Sequence, residues 1–193
     1  QSKQPQNFSE EKRLLRILIT KHIDADNNFG VLENAETYIK RFDDQDSWIW
    51  NMMYISNKRL GRFGAAKKAL DRAIEINPEE PTWRYNYSVL LAETDEKYAL
   101  EYLEKQSKSI KESPSVRCKI ALLKNEVNFD TTDLSNIAEE FKNNSENFSE
   151  FDKRVLLKAI FKQLNEPYYY IDPKTKRKKE DEGKYLDMKN LPF

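Results

Sequence analysis

The chain of 193 residues is poor in the residues that build small-scaffold chemistry. It has one cysteine, Cys118, and one histidine, His22. A lone Cys excludes a disulfide framework and a zinc site built from cysteines. Four glycines (30, 61, 64, 183) and seven prolines are too few and too widely spaced for an all-β protein of many tight turns. No run approaches the ~20 apolar residues that a spanning helix needs, and the longest, Leu14 to Ile19, is broken by Arg16. No Gly-rich phosphate loop, serine elbow or paired-acid motif is present, so no enzyme is expected. Charge of one sign is also lacking: 33 Lys and Arg stand against 33 Asp and Glu, which argues against a general nucleic-acid binder. Only 38% of residues are apolar and 34% are charged, the composition of a thin, solvated stack rather than a thick core. A soluble protein is expected. The single reduced cysteine favours the cytoplasm, while a chain that begins at Gln1 and not Met is compatible with an exported, periplasmic form.

What is present is helical periodicity. Segments 6–29, 31–60, 82–112 and 115–166 contain neither Gly nor Pro. Ser9 is the expected cap of a first helix ending near Ile23, with Leu14, Leu15, Leu18 and Ile19 as its apolar stripe. A second, 31–42, places Val31, Leu32, Ala35, Tyr38, Ile39 and Phe42 on one side. Asp43, Asp44 and Asp46 open a third, 46–59, at its positive dipole end. Further helices are predicted over 63–76, 81–94, 95–111, 114–125 and 133–143, and from Ser149 to about 164. Asn147-Phe-Ser-Glu repeats Asn7-Phe-Ser-Glu, which reads as two similar helix starts.

Isolated candidates are weak. Asp24 to Gly30 has the oxygen-rich look of a calcium loop, but Gly30 and Glu36 fall one residue late for its twelve-residue register, so a polar helix-to-helix turn is expected. His22 sits at a helix end with no second ligand nearby. Cys118 lies among Val116, Ile120 and Ala121 and is expected to be a small core residue, although Arg117 and Lys119 flank it. Beyond Pro167, Tyr168 to Ile171 has strand composition, a turn is expected at 172–175, and Lys174 to Lys179 holds five cations in six residues before three acids. This tail or hairpin is expected to pack its tyrosines on the last helices. The segment 150–193 carries 11 cations against 8 acids, so the positive excess of the chain lies there.

One stretch carries a family pattern. Trp50, Met53, Gly61, Phe63, Ala66, Leu70, Ala73 and Pro78 combine two apolar residues one turn apart, a Gly turn, an aromatic plug, small residues on one face of a second helix, and a terminating Pro. This resembles a tetratricopeptide repeat (TPR) over 47–80. Tyr54 and Asn57 depart from it, standing where the family has a small residue and an aromatic. Tyr87, Ser88, Leu91, Ala99 and Leu103 follow it loosely in the next unit, where the turn is one residue short.

The resemblance implies an all-α fold, a right-handed α-α superhelix of about four helical hairpins over 1–166, followed by the short extended tail or hairpin at 167–193. It implies a non-enzymatic adaptor or scaffold, without cofactor or metal, that holds a protein or peptide in a concave groove. By position the groove residues are Trp48, Asn51, Met52, Ile55, Lys58, Arg59, Tyr85, Asn86, Val89 and Glu93. The other reading of Trp48 and Tyr85 is packing between units. Of the residues that clamp a peptide carboxylate in some family members, only Asn86 matches, and Ile55 stands where an Asn is needed, so no such clamp is expected. Two alternatives remain open at this point. The basic and aromatic tail suits phosphate contact and base stacking in a nucleic-acid-associated repeat protein. Trp48-Ile-Trp50-Asn and Trp83-Arg84 are similar to the helical repeats of protein prenyltransferase α subunits, which implies a subunit of a multi-chain enzyme.

Overall fold

The structure is a computed structural model that describes residues 4–42, 44–164, 168–171, 178–181 and 184–185. The fold is all-α and TPR-like, built from helical hairpins, with short strands after the last helix. The chain divides into two compact units, Gln1–Leu90 and Leu91–Phe193.

The first unit holds α1 (Gln4–Asp24), α2 (Asn28–Arg41), α3 (Ser47–Arg59), α4 (Phe63–Ile76) and most of α5 (Pro81–Ala92). Their boundaries follow from local chemistry. The Asn27 side chain accepts from Gly30 N at 3.0 Å and caps α2, and the Asp46 side chain accepts from Trp48 N at 3.2 Å and caps α3. Gly61 takes a φ of +70°, which lets Gly61 N reach Lys58 O (3.0 Å) and Arg62 N reach Asn57 O (2.8 Å). This closes α3 with a Schellman turn that only a residue tolerant of the left-handed region makes cheaply. The expectations for α3 and α4 hold to within a residue.

Other details differ: α2 starts at Asn28 rather than 31, and α5 ends at Ala92 rather than 94. Ser9 lies inside α1 rather than at its start. Leu14 and Leu18 are 48% and 42% exposed, leaving Leu15 and Ile19 as the buried pair of the expected stripe. Phe63 does not plug the hairpin: it is 50% exposed at the first residue of α4, and the turn is closed by the backbone bonds of Gly61 and Arg62.

Two clusters form the core of this unit. Leu15, Ile19, Val31, Ala35, Tyr38 and Ile49 join α1, α2 and α3. Tyr54, Ala66, Ala69, Leu70, Ala73 and Trp83 join α3, α4 and α5, and Met53 packs against both clusters. Small residues on α4 let α3 approach closely enough to seat the Tyr54 ring where the repeat pattern has a small side chain. Asn57, the second departure, is 6% exposed and satisfies its amide on Met53 O at 2.9 Å.

The second unit holds α6 (Glu96–Glu104), α7 (Lys108–Lys111), α8 (Pro114–Asn128), α9 (Thr132–Asn143) and α10 (Glu150–Leu164). The single helix expected over 95–111 is interrupted after Glu104. Ser107 stands at the start of a separate turn there, a place that suits a hydroxyl better than a helix interior. Helix α8 is the centre: α6, α9 and α10 all pack on it, burying Val116, Cys118, Ala121, Leu122 and Leu123. The start of α10 is a capping box in which Ser149 N and Oγ donate to Asp152 Oδ2 (3.0 and 2.6 Å) and Asp152 N donates to Ser149 Oγ (3.2 Å). After α10, β1 (Tyr168–Ile171) pairs antiparallel with β2 (Lys178–Asp181) in the register Tyr168 to Asp181, and parallel with β3 (Lys184–Tyr185). The expected turn at 172–175, residues 174–177 of the basic run and the packing of the three tyrosines lie outside the described residues.

Candidate functional site

In the first unit the odd-numbered helices are tied together at intervals of about one repeat. Near its start α3 presents Asp46, whose carboxylate accepts from Arg16 of α1, 30 positions earlier, and from the Tyr38 hydroxyl of α2 at 2.7 Å. Near its end Arg59 Nη1 donates to Asp26 Oδ1 at 3.1 Å, 33 positions earlier, beside the end of α1. The middle of α1 meets the start of α3 and the end of α1 meets the end of α3, so the contacts run in the same order along both helices and make them parallel. On the other side Asn86 Nδ2 of α5 donates to Asn51 Oδ1 at 2.8 Å, 35 positions apart, and the Tyr54 hydroxyl donates to Asn86 O at 3.2 Å. The three first helices thus stand side by side.

Burial sorts the predicted groove residues on this frame. Trp48 and Met52 are half-buried, packing partly on the first core cluster, and Ile55 does the same on the second. The Arg16 guanidinium stacks 4.4 Å from the centre of the Trp48 ring, covering one side of it. Asn51 is 5% exposed and spends its carbonyl on Asn86, so it faces a neighbouring helix. Lys58, Tyr85, Asn86 and Val89 are half-buried, and Arg59 is exposed and held by Asp26. Glu93 is exposed and falls in the second unit.

The Tyr38 phenol is held above its ordinary pKa, first by burial and then by its bond to the Asp46 carboxylate. Sequence reasoning read Asp46 as a dipole-favoured cap. Its part as the meeting point of three helices depends on residues 8 and 30 positions away, which no local signal announces. Sequence reasoning also missed that Leu14, Ile17 and Leu18 stay on the surface, 48%, 40% and 42% exposed. Their spacing alone does not say which side of α1 meets the core.

The isolated candidates take structural places. His22 Nδ1 lies 3.1 Å from Asn27 Nδ2, which fixes the side chain that caps α2. Asp26 and Asn27 of the calcium-like segment are engaged within the hairpin and with Arg59, as a polar turn requires. Cys118 is fully buried, and burial pushes its thiol pKa up to about 12. Among the described residues no group of three or more His, Cys, Asp or Glu side chains is arranged to hold a metal. Nor is any described helix long and apolar enough to cross a membrane.

The second unit has a cleft of about 490 Å³ between the end of α6, α7, α8 and α9, lined by Lys111, Arg117, Lys124 and Asp133 among others. Its cations are already paired. Arg117 Nη1 and Nη2 hold Glu140 (3.2 and 2.6 Å), Lys124 Nζ holds Asp133 (2.7 Å), and Lys111 Nζ donates to Glu104 O (3.1 Å). The Arg117 guanidinium keeps the Glu140 carboxyl below its usual range.

No protein-family model matches the chain, and no curated protein matches it. Among solved structures, a mutant of the O-GlcNAc transferase of Thermobaculum terrenum superposes with a TM-score of 0.58 at 13% identity, over 70% of this chain and 26% of the other. The chain therefore spans about a quarter of that transferase, and the likeness is one of fold. The TPR2B domain of yeast Sti1, solved as a complex with pHsp70, aligns over 79% of this chain and 98% of its own at 17% identity, with a TM-score of 0.47.

Proposed function

We propose that the chain is a non-enzymatic, TPR-like adaptor that holds a protein or peptide on the face made by the first helices of its first unit. The observation that carries this reading is the set of clasps about one repeat apart: Arg16 to Asp46, Arg59 to Asp26, and Asn86 to Asn51. They align α1, α3 and α5 so that Trp48, Met52, Ile55, Tyr85 and Val89, each only half-buried, offer apolar surface in one tract. Half-buried aromatic and Met side chains on rigid helices are the usual anchors of a peptide interface. In this reading Asn51 and Asn86 set the spacing of the tract, Lys58 and Arg59 stand at its polar rim, and no cofactor takes part. The residues that could suggest catalysis support it too: Cys118 is a buried thiol and His22 is engaged with Asn27.

The test is selection of binders from a displayed random peptide library on the immobilised protein. Enriched peptides are then titrated by fluorescence anisotropy against the parent and a Trp48→Ala, Met52→Ala, Tyr85→Ala variant. The reading expects enrichment and an affinity loss of about tenfold or more in the variant, with far-ultraviolet circular dichroism unchanged. A library that yields no binder, or binders indifferent to the three substitutions, contradicts it.

A further inference from the structure

The exposed apolar residues of α1 lie on the side away from its core. With 100° per residue, Leu14, Ile17 and Leu18 form one stripe, while Leu15 and Ile19, 9% and 0% exposed, are centred about a third of a turn further round and enter the first cluster. Two exposed charges of opposite sign continue the stripe at its ends, Glu10 before it and Lys21 after it. They are eleven residues apart, about 16 Å along the helix axis at 1.5 Å per residue, and the apolar triad lies between them.

This arrangement is complementary to itself. If a second α1 lies antiparallel on the first, with a two-fold axis between positions 15 and 16, Glu10 of each copy meets Lys21 of the other. In the same register Leu14 of each copy meets Ile17 of the other, and Leu18 meets the aliphatic stem of Arg13. A two-fold axis repeats every contact, so one stripe supplies both sides of a closed interface. A parallel pairing would instead set Glu10 against Glu10 and Lys21 against Lys21.

From this complementarity we propose that the outer face of α1 is a self-association surface, whose occupant is the same face of a second copy of this chain. The inference goes beyond the peptide-holding reading, because it uses none of Trp48, Met52, Ile55, Tyr85 or Val89. One helix against one helix covers less than the ~800 Å² per partner of a standard interface, so association is concentration-dependent and weak, at micromolar or higher.

The experiment is sedimentation equilibrium of the full chain at low salt over a wide concentration range, with circular dichroism on every sample to verify the fold. The parent should rise from the monomer mass of 22.9 kDa toward twice that value. Glu10→Lys and Lys21→Glu, each made alone, should weaken association about tenfold by replacing two attractions with two repulsions. The double exchange should return it to within about threefold of the parent, by the same charge arithmetic. Leu14→Asp with Leu18→Asp should leave only monomer. A parent that stays monomeric throughout, which would assign the stripe to another partner or to none, overturns the proposal. So does a dimer that either single substitution leaves unchanged, or a double exchange that fails to restore it.

Discussion

In the first unit the turn that ends α3 places Gly61 at a φ of +70°, whereas in the second the turn that ends α8 places Phe129 at +57°, a residue that is 89% exposed. At these two helix ends the same left-handed geometry is met by the residue that adopts it freely and by a side chain that gains no burial for it, while Asp26 of the first unit, at a φ of +54°, is a polar residue that tolerates it. The helix caps differ in the same way. Asp46 in the first unit caps α3 and also holds Arg16 and the buried Tyr38 hydroxyl. Ser149 in the second shares its cap only with Asp152. The first unit fixes its helices with polar clasps that span about a repeat. The second relies on an apolar seam around α8, with ion pairs at its surface. The contrast shows where the chain needs geometry: polar clasps set register, while an apolar seam resists separation but tolerates sliding.

The largest loss is expected at Asp46. Asp46→Ala removes a cap and leaves the Tyr38 hydroxyl buried without its acceptor, for a loss of about 2–4 kcal/mol in denaturant unfolding. Ser149→Ala removes a cap alone and should cost about 0.5–2 kcal/mol. Equal losses would mean that Asp46 is an ordinary cap.

The turn glycine and its counterpart should move in opposite directions. Gly61→Ala should destabilise by about 1 kcal/mol, with no clash involved because the space around a Cβ there is open. Phe129→Gly should stabilise by about 0.5–1 kcal/mol. Two losses would indicate that the Phe129 ring has a use beyond the turn.

Alkaline titration separates the units by pH. Cys118 and Tyr38 are acids whose folded pKa values are raised, so the fold favours their protonated forms. Their contribution is complete below the unfolded pKa and is lost as pH rises through the folded one. For the thiol the decline begins near pH 9 and runs toward about 12; for the Tyr38 phenol it begins only above pH 10. Cys118→Ala should therefore flatten the stability profile between pH 9 and 10, and Tyr38→Phe should not.

The smallest effect is expected at Arg117 and Glu140, whose side chains are 34% and 38% exposed. Replacing both with Met and Gln should cost no more than about 1 kcal/mol, less at high salt. A larger loss would make the second unit as dependent on polar clasps as the first.

Much of this architecture was legible in the sequence. Asp46, Gly61 and Pro78 punctuate α3 and α4, and the small residues Ala66 and Ala73 give the seam against which α3 packs. The repeated Asn-Phe-Ser-Glu was legible only in half. Ser149 has Asp152 three residues on to return its hydrogen bond, whereas Ser9 has Lys12, a donor that cannot. The break between α6 and α7 hides in a polar run whose charged residues suit helix and loop alike.

The site was legible as a set of positions, but not as a division of labour. That Asn51 faces Asn86 while Trp48 stays half open depends on how α5 is placed beside α3, as does the reach of the Tyr54 hydroxyl to Asn86 O. No periodicity reports that placement. For α1, a stripe of four apolar positions conceals that two meet the core and two, with Ile17, face outward.

The clasp that holds α3 and α5 side by side, about one repeat apart, is what aligns the half-buried face. A double-mutant cycle on Asn51→Ala and Asn86→Ala, read by denaturant unfolding with circular dichroism to verify the helices, tests it directly. A coupling of about 0.5–1.5 kcal/mol between the two side chains is predicted. Strict additivity of the two losses would contradict the clasp and the aligned face built on it.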